Sequence, residues 1–219
     1  MKFKPLRTLA TGGLLALCLG AAHADALDSL ETFVKTVKSG RAAFTQTVTS
    51  PPRDGQAARS KTSSGTFAFQ RPSRFRFDYT KPFEQTIVAD GQTLWLHDVD
   101  LNQVTARKQA DVLGSTPAAL VAAAPDLAAL RADFELKAAP DQDGLQWVEA
   151  TPKARDGQLS AVRVGLKAGD KGPELAALEI ADSFGQRSVL RFTQVEVNPT
   201  LPSSSFQFKP PAGADVLRQ

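Results

Sequence analysis

The chain has 219 residues, with 26 Lys and Arg against 23 Asp and Glu, two His and a single Cys. This length suits one domain with a substantial core. The positive excess resides in Lys2, Lys4 and Arg7, and 26 − 3 = 23 basic side chains then face 23 acidic ones, so the rest of the chain is formally neutral and gives no warrant for nucleic-acid binding.

Those three charges open a secretory leader. An apolar run from Leu9 to Ala22 follows, and Ala22-His23-Ala24 supplies the small residues for cleavage before Asp25, which divides the chain into a leader over 1–24 and a single domain over 25–219. The run is too short and glycine-rich for a permanent span, which takes roughly 20 apolar residues. Leu17 stands before Cys18 where lipoprotein processing wants a small residue, so Cys18 is not read as a lipid anchor. Cleavage removes the only Cys, the only Met and one of the two His. No thiol remains as nucleophile or zinc ligand, and a Ser-His-Asp device would depend on His97 alone. No metal or other cofactor is expected. The pairs Asp98/Asp100 and Asp141/Asp143 read as turn chemistry beside Gly or Asn, and the spacing of Gly165, Gly169 and Gly172 does not fit a nucleotide fingerprint.

An amphipathic helix is predicted over 26–39, with Leu27, Leu30, Phe33, Val34 and Val37 on one face and Gly40 as the stop. The period then changes to two at Phe44, Gln46 and Val48. Residues 50–64, rich in Pro, Ser, Gly and charge, read as a loop. From Gly65 the alternation is regular: Phe67 and Phe69 lead to Arg71-Pro72, after which Phe75, Phe77 and Tyr79 share one face and Arg74, Arg76 and Asp78 take the other. Strands at 83–89 and from Thr93-Leu94-Trp95-Leu96 flank Asp90-Gly91, a hairpin signal. Ser115-Thr116-Pro117 caps a short central helix running to Pro125, and Asp126 to Ala132 can add a second. Strands resume at 134–138, 145–151, 159–166, 175–182 and 186–197, and Phe206 with Phe208 forms a last extended piece. Residues 53–81 hold seven basic and two acidic side chains, a solvated face or a dock for an acidic partner.

This pattern is α+β, mainly antiparallel β: a large curved sheet of ten or eleven strands with helices against one face. Short Ala-rich helices fill less volume than a second sheet, so an apolar cavity on the concave side is plausible. Periodicity leaves open whether the phenylalanines form a filled core or a cavity wall.

The segments Gly65-Thr66-Phe67-Ala68-Phe69-Gln70-Arg71-Pro72 through Tyr79, and Ile87-Val88-Ala89-Asp90-Gly91-Gln92-Thr93-Leu94-Trp95, resemble the LolA family of periplasmic outer-membrane lipoprotein carriers. Phe44-Thr45-Gln46, Gly114-Ser115-Thr116-Pro117 and Thr151-Pro152-Lys153-Ala154 fit the same pattern in order. The resemblance implies an unclosed β-barrel with helices forming a lid over an apolar cavity that holds acyl chains. It implies a monomeric, non-enzymatic periplasmic chaperone that accepts lipoproteins from an inner-membrane ABC-type release complex and delivers them to an outer-membrane acceptor. It further implies that Arg71 ties lid carbonyls with its five donors, and that Phe75, Phe77, Leu94 and Leu120 contact cargo, with Phe77 standing where relatives often carry Trp. A carrier of this fold for another lipid or apolar ligand, a carboxylate hydrolase and a purely structural envelope protein remain the alternatives at this point.

Overall fold

The computed structural model describes residues 22–52, 56–112, 124–154 and 157–219. The leader lies outside them except for Ala22 to Ala24, whose backbone begins helix α1 (Ala22–Thr36). The central helix expected from Ser115, with Leu120, also lies outside them.

Among the described residues twelve strands follow α1: β1 (Ser39–Ser50), β2 (Arg59–Gln70), β3 (Arg74–Lys81), β4 (Gln85–Ala89), β5 (Thr93–Asp98), β6 (Gln103–Lys108), β7 (Phe134–Gln142), β8 (Leu145–Pro152), β9 (Leu159–Gly169), β10 (Gly172–Asp182), β11 (Arg187–Val197) and β12 (Asp215–Arg218). They form one sheet in the order β12-β6-β5-β4-β3-β2-β1-β11-β10-β9-β8-β7. Neighbours are antiparallel except β12 and β6, which pair in parallel. The end strands β7 and β12 do not meet, so the barrel is unclosed. Short helices α2 (Gln109–Val112) and α3 (Leu127–Asp133) accompany it, the latter capped by Asp126, whose side chain accepts from the Ala129 amide at 2.8 Å.

The sheet curls because its apolar faces share one core. Phe67 and Phe77 of the first half lie in the same buried cluster as Val148, Val162 and Val164 of the second. Helix α1 buries Leu30, Phe33, Val34 and Val37 on the concave side, over β7 to β10. The convex side has its own cover: the tail lays Phe206, buried, and Phe208 over the outer face, with Phe208 5.6 Å from Trp95 and 5.7 Å from His97 between ring centroids. Arg74 and Arg76 point to this outer side, and Arg76 pairs with Asp78 at 2.6 Å.

Several boundaries differ from the sequence reading. Helix α1 ends at Thr36 rather than 39, and Gly40 belongs to β1. The reason is remote. The Asn198 side chain accepts from the Lys38 and Ser39 amides at 2.7 and 3.3 Å and donates to the Thr36 carbonyl at 3.0 Å, closing the helix from the far end of the chain. Residues 59–64 are not loop but the start of β2, a Ser/Thr/Lys stretch whose ladder runs along β1 from Arg59 opposite Ser50. Phe206 ends a 3₁₀ turn (Ser203–Phe206) rather than lying in a strand, and β12 was not anticipated.

Candidate functional site

Cross-strand register carries the phenylalanines into rows on the concave face. Phe69, Phe75, Ala89 and Leu94 are successive partners across β2 to β5, and Phe67, Phe77, Ile87 and Leu96 form the next row. Phe75 is fully buried and Phe77 is 4% exposed, while Leu94 is half-buried against the same core. The rings interlock: Phe67 stacks on Phe77 at 4.4 Å, Phe44 meets Phe77 edge-on at 5.4 Å and Phe33 of α1 lies 6.2 Å from Phe69. The apolar gap left beneath α1, lined by residues including Phe33, Phe67, Phe69 and Phe192, measures about 20 Å³. Room of roughly 10–15 Å³ holds one water molecule, so the gap has space for about one. No acyl chain fits without movement, so the concave face is a closed aromatic interior bounded on one side by the C-terminal end of α1 and the segment at Ala124.

Arg71 sits where those two segments converge. It occupies the turn between β2 and β3, and its main-chain amide donates to the Lys38 carbonyl at 2.8 Å. Its Nε donates to the Val37 carbonyl at the end of α1 at 2.9 Å, and its Nη1 donates to the Ala124 carbonyl at 2.6 Å. The guanidinium also lies over the rings of Phe33 and Phe69 at 5.3 and 5.4 Å. Burial pushes its pKa down from the ordinary guanidinium value to about 10, which leaves it charged at neutral pH. One side chain therefore joins the end of α1, the start of the segment leading into α3 and the aromatic interior. Gly40 permits this approach, because a Cβ there would stand 2.3 Å from the Phe69 ring.

A second buried polar anchor, which sequence reasoning missed, holds the neighbouring hairpin. Gln109, 1% exposed, accepts from the Gly91 amide at 2.9 Å and donates to the Ser73 carbonyl at 2.6 Å, fixing the turn that presents Arg71. Its signal in the sequence is weak, a lone Gln after a strand. Asp90 organises the same hairpin by accepting from the Gln92 and Thr93 amides, both at 2.8 Å, and from the Trp95 indole at 3.0 Å. Burial alone would raise its pKa, but these donors outweigh it and hold the carboxyl below the ordinary 3.8.

Of the residues singled out by sequence, Arg71, Phe75, Phe77 and Leu94 are brought to one side of the sheet, and Leu120 lies outside the described residues. Two of the aspartates serve turns: Asp98 accepts from the Leu101 amide at 3.1 Å, and Asp143 has the positive φ of 56° of a hairpin turn residue before Gly144. Among the described residues no His, Cys, Asp and Glu cluster of metal-ligating size occurs, and no helix is long and apolar enough to cross a membrane.

Comparison with known proteins agrees with this architecture. The family described as outer membrane lipoprotein carrier protein LolA matches residues 35–209. The outer-membrane lipoprotein carrier protein of Albidiferax ferrireducens is 71% identical over 94% of this chain and 96% of its own. That of Methylibium petroleiphilum is 59% identical over 94% and 97%, and that of Dechloromonas aromatica 42% over 99% of each. Among solved structures, a DUF1329 family protein from Desulfovibrio piger shares the fold with a TM-score of 0.50 at 11% identity, covering 84% of this chain and 95% of that one. The chain belongs to the LolA family of outer-membrane lipoprotein carrier proteins, whose members are non-enzymatic chaperones.

Proposed function

We propose that the protein, after loss of residues 1–24, works as a monomer in the periplasm, takes acylated lipoproteins from an inner-membrane ABC-type release complex and hands them to an outer-membrane acceptor. The observation that carries this reading is the aromatic interior fastened by Arg71. An acyl chain of about sixteen carbons, at about 0.8 kcal/mol per buried methylene, gains on the order of ten kcal/mol by leaving water. That is enough to displace a lid held by a few hydrogen bonds. Phe75, Phe77 and Leu94 then face the chain instead of each other and α1, and Leu120 joins them from the central segment.

In this reading the closed interior is the empty carrier. Cargo enters when the end of α1 and the segment at Ala124 separate from Arg71, and release is assisted when Arg71 regains its carbonyls. The test is release of radiolabelled lipoprotein from spheroplasts or inner-membrane vesicles on addition of the mature protein, followed by transfer to acceptor membranes. Release and transfer are expected, and absence of release refutes the reading.

A further inference from the structure

The concave face is not apolar along its whole length. On β3 the inward positions read Phe75, Phe77, Tyr79; on β4, Ala89, Ile87, Gln85; on β5, Leu94, Leu96, Asp98. On β1 they read Phe44, Gln46, and Gln46 faces Ser63 of β2. Register therefore sets a polar row of Tyr79, Gln85 and Asp98 directly beyond the second aromatic row, with Gln46 one inward position past Phe44 beside it, at the end of the sheet opposite Arg71. Three side chains here are linked: the Tyr79 hydroxyl donates to Gln46 Oε1 at 2.9 Å, and Gln46 Nε2 donates to the Ser188 hydroxyl of β11 at 2.7 Å. Tyr79 also closes the aromatic interior, its ring 5.0 Å from Phe44. Burial pushes its hydroxyl up to about 12, so it keeps its proton throughout the neutral range.

Outside this row lies an open hollow of about 500 Å³ whose lining includes Gln46, Ser63, Tyr79, Phe83 and Leu101. Phe83 and Leu101 are each 70% exposed, an apolar rim on a polar floor. An amphiphile with its chains among the phenylalanines would place its first polar atoms at the row. Those atoms must be acceptors to be matched by a phenol, an amide N–H and a serine hydroxyl, and they must be uncharged, because the row and the hollow hold the carboxylates of Asp98, Asp100 and Glu84 and no cation stands in the row.

We propose that Tyr79, Gln46 and Ser188 form a head-recognition subsite for the acyl-ester carbonyls of the cargo, the hydroxyl of Tyr79 turning from Gln46 to the ligand. This rests on the carrier reading above and names the part of the lipid that is read. Acyl esters occur both on diacylglyceryl-cysteine peptides and on phospholipids, and the chemistry recognised is common to both.

The test compares wild type and Tyr79→Phe, with Ser188→Ala as a second variant should the first fail to fold, and uses four probes. They are a labelled S-dipalmitoylglyceryl-cysteinyl peptide, its ether-linked dialkyl analogue, a dipalmitoyl phospholipid and the hydrocarbon dye 1-N-phenylnaphthylamine. Loss of one neutral hydrogen bond weakens the ester lipopeptide about 2- to 12-fold. The ether analogue and the dye are expected to bind both proteins alike. An equal loss with the phospholipid assigns the row to acyl esters in general, and its absence assigns the row to the lipopeptide head; both uphold carbonyl recognition. Unchanged ester binding in both variants, or equal losses for ester, ether and dye, overturns the subsite while leaving the carrier reading standing. Wild-type protein that binds no lipopeptide overturns both.

Discussion

Replacing Arg71 by Leu removes the tie between the end of α1 and Ala124 while keeping an apolar stem against Phe33 and Phe69. Among the described residues, two hydrogen bonds from its guanidinium, at 2.9 and 2.6 Å, are each worth about 1.5–3 kcal/mol, or about 3–6 together. Against this stands the cost of burying the charge: the fall from the ordinary guanidinium value to about 10 corresponds to about 3 kcal/mol. The difference, about 0–3 kcal/mol, favours the closed state. It is small beside the burial energy of an acyl chain, as a reversible fastening requires. Arg71→Leu loses this difference only when empty and closed, so the loaded state gains by up to about 3 kcal/mol, or about 100-fold in equilibrium. The variant is therefore expected to fold, to take up lipoprotein at least as well as wild type and to transfer it to acceptor membranes up to about 100-fold less completely. Transfer is measured by moving radiolabelled lipoprotein from the purified complex into acceptor-bearing vesicles. Wild-type transfer, or loss of uptake in a folded variant, refutes the latch.

Asp90→Asn weakens the turn that braces Arg71. Because the folded carboxyl is held below 3.8, its contribution is present above that value and is lost as pH falls through the lower folded value; the wild-type advantage in thermal midpoint is expected at pH 6 and should vanish under acid conditions below it. Gly65→Ala would set a Cβ 1.9 Å from the Asp78 carbonyl oxygen, where β2 and β3 slip register, and is expected to destabilise by at least about 1–3 kcal/mol in urea unfolding. His97 Nε2 is buried without a partner against Phe208, so His97→Phe is expected to keep lipoprotein transfer and to raise the thermal midpoint slightly; loss of transfer would reinstate a chemical role for the imidazole.

What the sequence disclosed depended on whether a feature was local. The face shared by Phe75, Phe77 and Tyr79 was legible because strand period is two, and the Asp90-Gly91 hairpin because the turn needs those residue types, with Gly91 at a φ of 103°. The end of α1 was not, since its cap is Asn198, and the start of β2 was not, since a Ser/Thr/Lys strand with an exposed face carries no hydrophobic alternation. Strand β12 has four residues and pairs in parallel with a strand over a hundred positions away, outside the reach of any window. The role assigned to Arg71 came from family resemblance alone; an arginine before proline at a strand end looks like any exposed cation until α1 is laid over it. The polar row needed the register between strands, which decides that Tyr79, Gln85 and Asp98 stand side by side.

The open seam between β7 and β12 has a mechanical corollary. In a closed barrel, strand number and shear fix the radius, so the bore is a constant of the sequence. A sheet that stops short of closure can change its curvature a little at every ladder without severing any of them, and the diameter becomes a soft coordinate. On the carrier reading proposed above, such a container would need no preformed void matched to one guest: it would idle collapsed on its own rings and swell to the girth of the hydrocarbon that arrives.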